Sequence, residues 1–169
     1  NGVMPWNGGV LVTAAPDILF LKDSDGDGVA DERRVLFTGF AEGNHQLRVN
    51  GLHWGLDNWI SGANGRSDGE VRRPDDPTSK AVSLRAHDFR FDPRTLKFEA
   101  IAGRSQFGAA RDDWGNRFLS WNTIPIRHEV IAERYLARNA HLQSPESLND
   151  LRPPGDDSRV FPRAPQPLT

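Results

Sequence analysis

The stretch GLHWGLDNWISGAN, Gly51 to Asn64, is answered farther along the chain by GAARDDWGNRFLSWN, Gly108 to Asn122. Each opens on a glycine, runs through a short strand to a turn rich in Asp, Asn and Gly, and returns along an aromatic strand to a small residue and an asparagine. Gly51 aligns with Gly108, Asp57 with Asp113 and Asn64 with Asn122, with one inserted residue. Asp, Asn and Gly tolerate the backbone of a tight reversal, so both stretches read as β-hairpins. A recurrence after roughly 57 residues, with about four short strands per unit, is the spacing of a propeller blade. The fold class read from this repeat is all-β, a partial β-propeller. A chain of 169 residues holds about three such blades, whereas closed propellers have about four to eight, so the expected shape is an open arc with exposed edges.

Outward from the two hairpins, β-prone runs bounded by Gly, Asp, Asn and Pro recur, and helical periodicity is scarce. The runs GGVLVTAA and DILFLKD predict two strands joined around Pro16, and ERRVLFTGF predicts a third. A further pair, VSLRAHDFRFD and TLKFEAIAG, is joined by Asp92-Pro93-Arg94, with proline at the second position of a type I turn. IPIRHEVIAERYLARNAHLQ predicts a strand and then a short helix, and Ser144-Pro145-Glu146 supplies an N-cap and first-turn proline for one more turn. Residues 1–142 are thus expected to form the propeller fragment. Residues 143–169, ending in RPPGDDSRVFPRAPQPLT, are expected to form a proline-rich crossing segment or tail.

Between the second and third strands lies LKDSDGDGVADERR, Leu21 to Arg34. Four aspartates that close repel one another and call for compensation, for which a bound cation is the obvious candidate. Counted from Asp23, oxygen ligands fall at positions one, three and five (Asp23, Asp25, Asp27). Gly28 stands at six, the Val29 carbonyl at seven and Asp31 at nine. This is the first nine positions of an EF-hand-type loop, and hard carboxylate oxygens select calcium. At position twelve Arg34 replaces the bidentate Glu, and Glu32 lies two residues early, so weaker affinity or an additional ligand is expected. The alternative is an acidic Asp-Gly turn that holds nothing.

Composition narrows the classes. The chain is 37% hydrophobic and 26% charged, which is globular. Lys and Arg (21) nearly balance Asp and Glu (23), with the basic residues scattered, so no nucleic-acid footprint is present. No apolar run approaches the roughly 20 residues of a membrane helix. The absence of cysteine excludes disulfides, thiolate metal sites and a c-type haem attachment within these residues. The chain starts at Asn1 in mid-pattern, and a piece of a longer protein is expected.

From GGVLVTAAPDILFLKDSDGDGVADERRVLFTGF through the His45-Gln46 dipeptide to the tryptophan hairpin, the sequence resembles the propeller of the membrane-bound dehydrogenases of planctomycete-type bacteria. These are related to the soluble quinoprotein glucose and sorbosone dehydrogenases. GRSQFGAARDDWGNRF, IPIRHEVIAERYLARN and SRVFP follow in the order the family leads one to expect. The resemblance implies a six-bladed, glucose/sorbosone dehydrogenase-like propeller, a periplasmic or otherwise extracytoplasmic location, pyrroloquinoline quinone as cofactor and a cytochrome c module, with its haem, beyond this chain. It implies that His45 and Gln46 line the catalytic pocket. The family's quinone-binding Arg-Asn pair corresponds to Arg104 with Gln106, Ser105 standing where Asn is wanted. The family's histidine base has no counterpart between Ser67 and Lys80. His87 beside Asp88 is a substitute in principle, although adjacent strand residues point to opposite faces. For His128 solvent exposure or a backbone hydrogen bond is expected, and for the five tryptophans packing between sheets.

Two functions follow as expectations. One is a fragment of a quinoprotein-like dehydrogenase oxidising a small-molecule sugar or alcohol, braced by calcium. The other is a non-catalytic, calcium-stabilised propeller that binds a protein or polysaccharide partner.

Overall fold

A computed structural model describes residues 2–138, 141 and 146–151. They form three antiparallel sheets, none of them closed, with one short helix. The expected Ser144-Pro145-Glu146 turn and most of the 143–169 segment lie outside the described residues.

The first sheet begins with β1 (Val3–Trp6), β2 (Gly9–Ala14), β3 (Asp17–Lys22) and β4 (Glu32–Phe40), consecutive neighbours in the order the apolar runs predict. The β2–β3 hairpin turns at Ala15-Pro16, and β3 pairs with β4 from Asp17↔Thr38 to Lys22↔Glu32, so the acidic segment is the hairpin connection. The second sheet starts at β5 (Asn50–Trp54) and β6 (Ile60–Ala63).

Two strands then return to the first sheet: β7 (Gly69–Arg72) pairs with β4, and β8 (Val82–Ser83) with β7. The run VSLRAHDFRFD is therefore two strands in two sheets. The chain turns between them at Leu84–His87, with Ala86 at φ +63°, and β9 (His87–Phe91) joins β6. β10 (Phe98–Ala102) completes the order β5-β6-β9-β10. The turn before it spans Asp92 to Lys97 and is wider than the Asp92-Pro93-Arg94 reversal expected, because Leu96 at φ +57° closes it.

The third sheet is a meander of β11 (Ala109–Arg111), β12 (Arg117–Trp121), β13 (Ile124–Glu129) and β14 (Leu148–Asp150), with the helix α1 (Glu133–Leu136) after β13.

The three sheets stack as layers. Phe37 and Phe40 of the first meet Phe91 and Phe89 of the second at ring separations of 5.0 and 5.1 Å, within a core that includes Leu11, Ile18, Ile60 and Leu84. The opposite face of the second sheet, carrying Asp88 and Arg90, meets the Arg117 and Leu119 face of the third.

The repeat is real, and the structure corrects its alignment. Trp54 faces Ile60 in one hairpin as Arg111 faces Arg117 in the other. The Gly55–Trp59 turn has the hydrogen bonds of the Asp112–Asn116 turn, with Asn58 and Gly115 both at positive φ. A constant shift of 57 positions (51 to 108) thus relates the hairpins with no inserted residue, so Asp57 corresponds to Trp114 and Asn64 to Trp121. Gly51 (φ +61°) and Gly108 (φ +101°) both need the left-handed freedom of glycine. They also touch: a Cβ on Gly51 would stand 2.7 Å from the Gly108 Cα, and one on Gly2 would stand 3.2 Å from the Gly51 nitrogen. The edge strands β1, β5 and β11 therefore begin side by side, with β5 next to both of the others.

Candidate functional site

The nine residues from Asp23 to Asp31 fold on themselves because each aspartate finds amide donors nearby. Asp23 accepts from Gly26 N–H at 2.6 Å through Oδ1 and from Gly28 N–H at 2.9 Å through Oδ2. Asp25 accepts from Asp27 N–H at 3.2 Å and Asp27 from Val29 N–H at 2.7 Å, the local side-chain turns that Asp favours. Gly26 and Gly28, at φ +83° and +87°, let the chain reverse between them. The result gathers one carboxylate oxygen from each of Asp23, Asp25 and Asp27 within 4.8 Å of one another. The amide donors of Gly26 and then Gly28 hold the Asp23 carboxyl below the usual carboxylate range.

Asp31 takes another role. Its Oδ2 accepts from Ser24 N–H at 2.7 Å, closing the base of the loop, and it is outside the gathered triad. Val29 is exposed, and Glu32 and Arg34 belong to β4. The donor set is three hard oxygens on a short exposed loop, each carboxylate oxygen still having a lone pair beyond its amide bond. That chemistry suits a hard divalent cation such as calcium.

The other predicted residues lie where the chain approaches β5 and β11. His45 and Gln46 form an exposed single 3-10 turn (His45–Leu47), held by Asn44, whose Oδ1 accepts from Gln46 N–H at 2.9 Å. Arg104 is exposed. Gln106 is buried, its Oε1 accepting from Asn122 N–H at 3.3 Å and its backbone carbonyl from Asn50 Nδ2 at 2.9 Å. The two approaches are thus tied together at one end of the edge strands β5 and β11, but the Gln106 side chain is directed to Asn122 while Arg104 faces solvent.

A buried charge network went unread in the sequence. Asp88 is fully buried and accepts from Arg117 at 2.5 Å, from Ser105 Oγ at 2.5 Å and from the amides of Asn64 and Ser105 at 3.0 and 3.1 Å. Arg117, 2% exposed, also reaches Glu129 at 3.3 Å. A carboxylate beside the two phenylalanines of the strand HDFRF was the available signal, since a charge on a strand with buried neighbours needs a partner.

His87 does not touch Asp88 chemically. Its Nε2 instead meets Glu133 of α1 at 3.3 Å. His128 stacks on Phe118 at 4.9 Å, and its buried Nε2 has no hydrogen-bond partner among the described residues, unlike the exposed or backbone-bonded residue expected. None of the five tryptophans is fully buried; Trp114 is 82% exposed. Trp59 and Trp121 are instead capped by the guanidiniums of Arg90 at 4.2 Å and Arg127 at 4.5 Å, because they sit at the rims of sheets where arginine stems cover them.

Among the described residues no helix is long and apolar enough to cross a membrane. No curated protein and no solved structure matches the chain. The model of a protein family described as a domain of unknown function (DUF7133) matches residues 1–167, and the chain belongs to that family.

Proposed function

We propose that this chain is an open arc of three propeller blades from a quinoprotein-like dehydrogenase that oxidises a sugar or other alcohol outside the cytoplasm, with calcium bracing the Asp23–Asp31 loop. The observation that supports this reading is the contact of Gly2, Gly51 and Gly108, which starts the edge strands of three sheets side by side. Innermost strands that converge in this way surround the central channel of a propeller. The approaches carrying His45-Gln46 and Arg104 then meet at one mouth, where exposed polar side chains are available to a small hydroxylated substrate.

The redox step belongs to a bound cofactor, since none of these side chains accepts two electrons. Pyrroloquinoline quinone is the acceptor in this reading, with electrons passing on to a cytochrome c module. Arg104 is the residue placed to meet it. Gln106 stands back from it in this reading, because its backbone groups are taken up by Asn50 and Ser120 and its side-chain oxygen by Asn122.

That same bond favours a second reading, a calcium-braced propeller that binds a protein or polysaccharide without chemistry. Adding pyrroloquinoline quinone and calcium to the full-length protein separates the two. The dehydrogenase reading predicts a changed absorption spectrum and dye-linked oxidation of at least one member of a sugar and alcohol panel. Calcium binding in a calorimeter with neither response overturns it in favour of the binding module.

A further inference from the structure

At the turn end of the inner strands, away from His45 and Arg104, the second and third sheets leave a cavity of about 150 Å³ between them. It is lined by Arg90, Arg111, Arg117 and Arg134 against two carboxylates, Asp57 and Glu129. A wider space of about 460 Å³ shares Arg90, Glu129 and Arg134 with it.

Two of the arginines are accounted for. Arg90 bonds Glu99 at 2.6 Å and Asp57 at 3.1 Å, and Arg117 bonds Asp88 and Glu129. Arg111 is different. Among the described residues it forms no ion pair with a carboxylate, and its hydrogen bond goes to the Gly115 carbonyl at 2.9 Å. It is half-buried, and its Nε has no acceptor; neither does the Nε of Arg117, a side chain that is 2% exposed. Burial, and then the neighbouring charge of Arg117, pushes the Arg111 guanidinium below its usual range. Arg134, exposed on α1, brings a further cation to the same rim.

A half-buried cation beside another, with N–H donors unused, is costly unless something completes it. Guanidinium forks are matched by planar carboxylates and by phosphate, which accept two parallel N–H bonds. We infer that this cleft binds a small oxyanion, a carboxylate or a phosphate, with Arg111 as its main contact and Arg134 closing over it. The site is separate from the mouth described above and does not depend on the dehydrogenase reading.

The test is calorimetric titration of the full chain with inorganic phosphate and, separately, with malonate, against sodium chloride at matched ionic strength. Saturable binding of either oxyanion but not of chloride supports the site, and whichever of the two binds more tightly identifies the ligand class. Arg111→Met weakens that binding by about tenfold or more, as loss of a charged hydrogen-bond donor should.

Affinity of Arg111→Met equal to the parent's overturns the proposal. If Arg111→Met does not fold, the exposed Arg134→Gln decides: weakened oxyanion binding supports the site and unchanged binding overturns it. Binding of neither oxyanion also overturns it.

Discussion

The acidic loop and the seam between the second and third sheets both concentrate carboxylates, and they handle the charge in opposite ways. In the loop Asp23, Asp25 and Asp27 are exposed or nearly so, and among the described residues they are held by amides of their own turn. In the seam Asp88 is completely buried and carries Arg117, two amides and the Ser105 hydroxyl. Water screens the first group, so the loop folds with no counter-charge from the protein. The second has no water to screen it and must be neutralised from within. Asp88 is thus neutralised from within, whereas the loop leaves room for an ion from outside.

The comparison breaks first at the seam. Arg117→Met leaves Asp88 and Glu129 without their cation, and a loss of about 3–5 kcal/mol in denaturant-unfolding stability is expected. A change under about 1 kcal/mol would mean that the seam is not built around the pair.

The second test concerns how the sheets are brought together. Gly51→Ala puts a Cβ against Gly108 in a backbone conformation that suits glycine, and should cost about 1–3 kcal/mol by the same measurement. Gly43→Ala, where a Cβ meets nothing within 4 Å, serves as the control and should be close to neutral.

A smaller effect is set by pH. His53 borders the same seam, and burial, followed by the charge of Arg111, holds its pKa below the ordinary value. The folded state therefore prefers the neutral ring, and the unfolded state takes up the proton first. The stability His53 contributes is complete above about pH 6.5 and is lost as pH falls through that value toward its lower folded-state pKa. Thermal unfolding at pH 8 and pH 5.5 should show a larger drop for the parent than for His53→Asn.

The sequence made the hairpins legible because strand alternation and turn chemistry are local. The place of the acidic loop between two strands was legible for the same reason, since its hydrogen bonds run two to five positions along the chain. Asp31 escaped the reading because ligand spacing does not reveal that Ser24 N–H claims its carboxylate.

The return of Gly69–Arg72 to the first sheet was also hidden. Glu70 and Arg72 are exposed, and the polar run from Arg73 to Lys80 looks like a loop. Least legible was the Asp88–Arg117 pair, whose partners are 29 positions apart and in different sheets. Strand alternation argued in advance against a His87-Asp88 dyad, and the two side chains do take separate partners, Arg117 for the aspartate and Glu133 for the histidine.

The contrast between the self-neutralised Asp88 network and the exposed loop, for which we propose a calcium ion, is tested most directly by thermal unfolding with and without calcium. The parent and the double variant Asp25→Asn, Asp27→Asn should melt within about 0.5 kcal/mol of each other in chelator. At calcium about 100 times its dissociation constant the parent should gain about 2.7 kcal/mol, a rise of several degrees, and the variant almost none. Equal calcium responses in the two proteins, or none in the parent, would contradict the account.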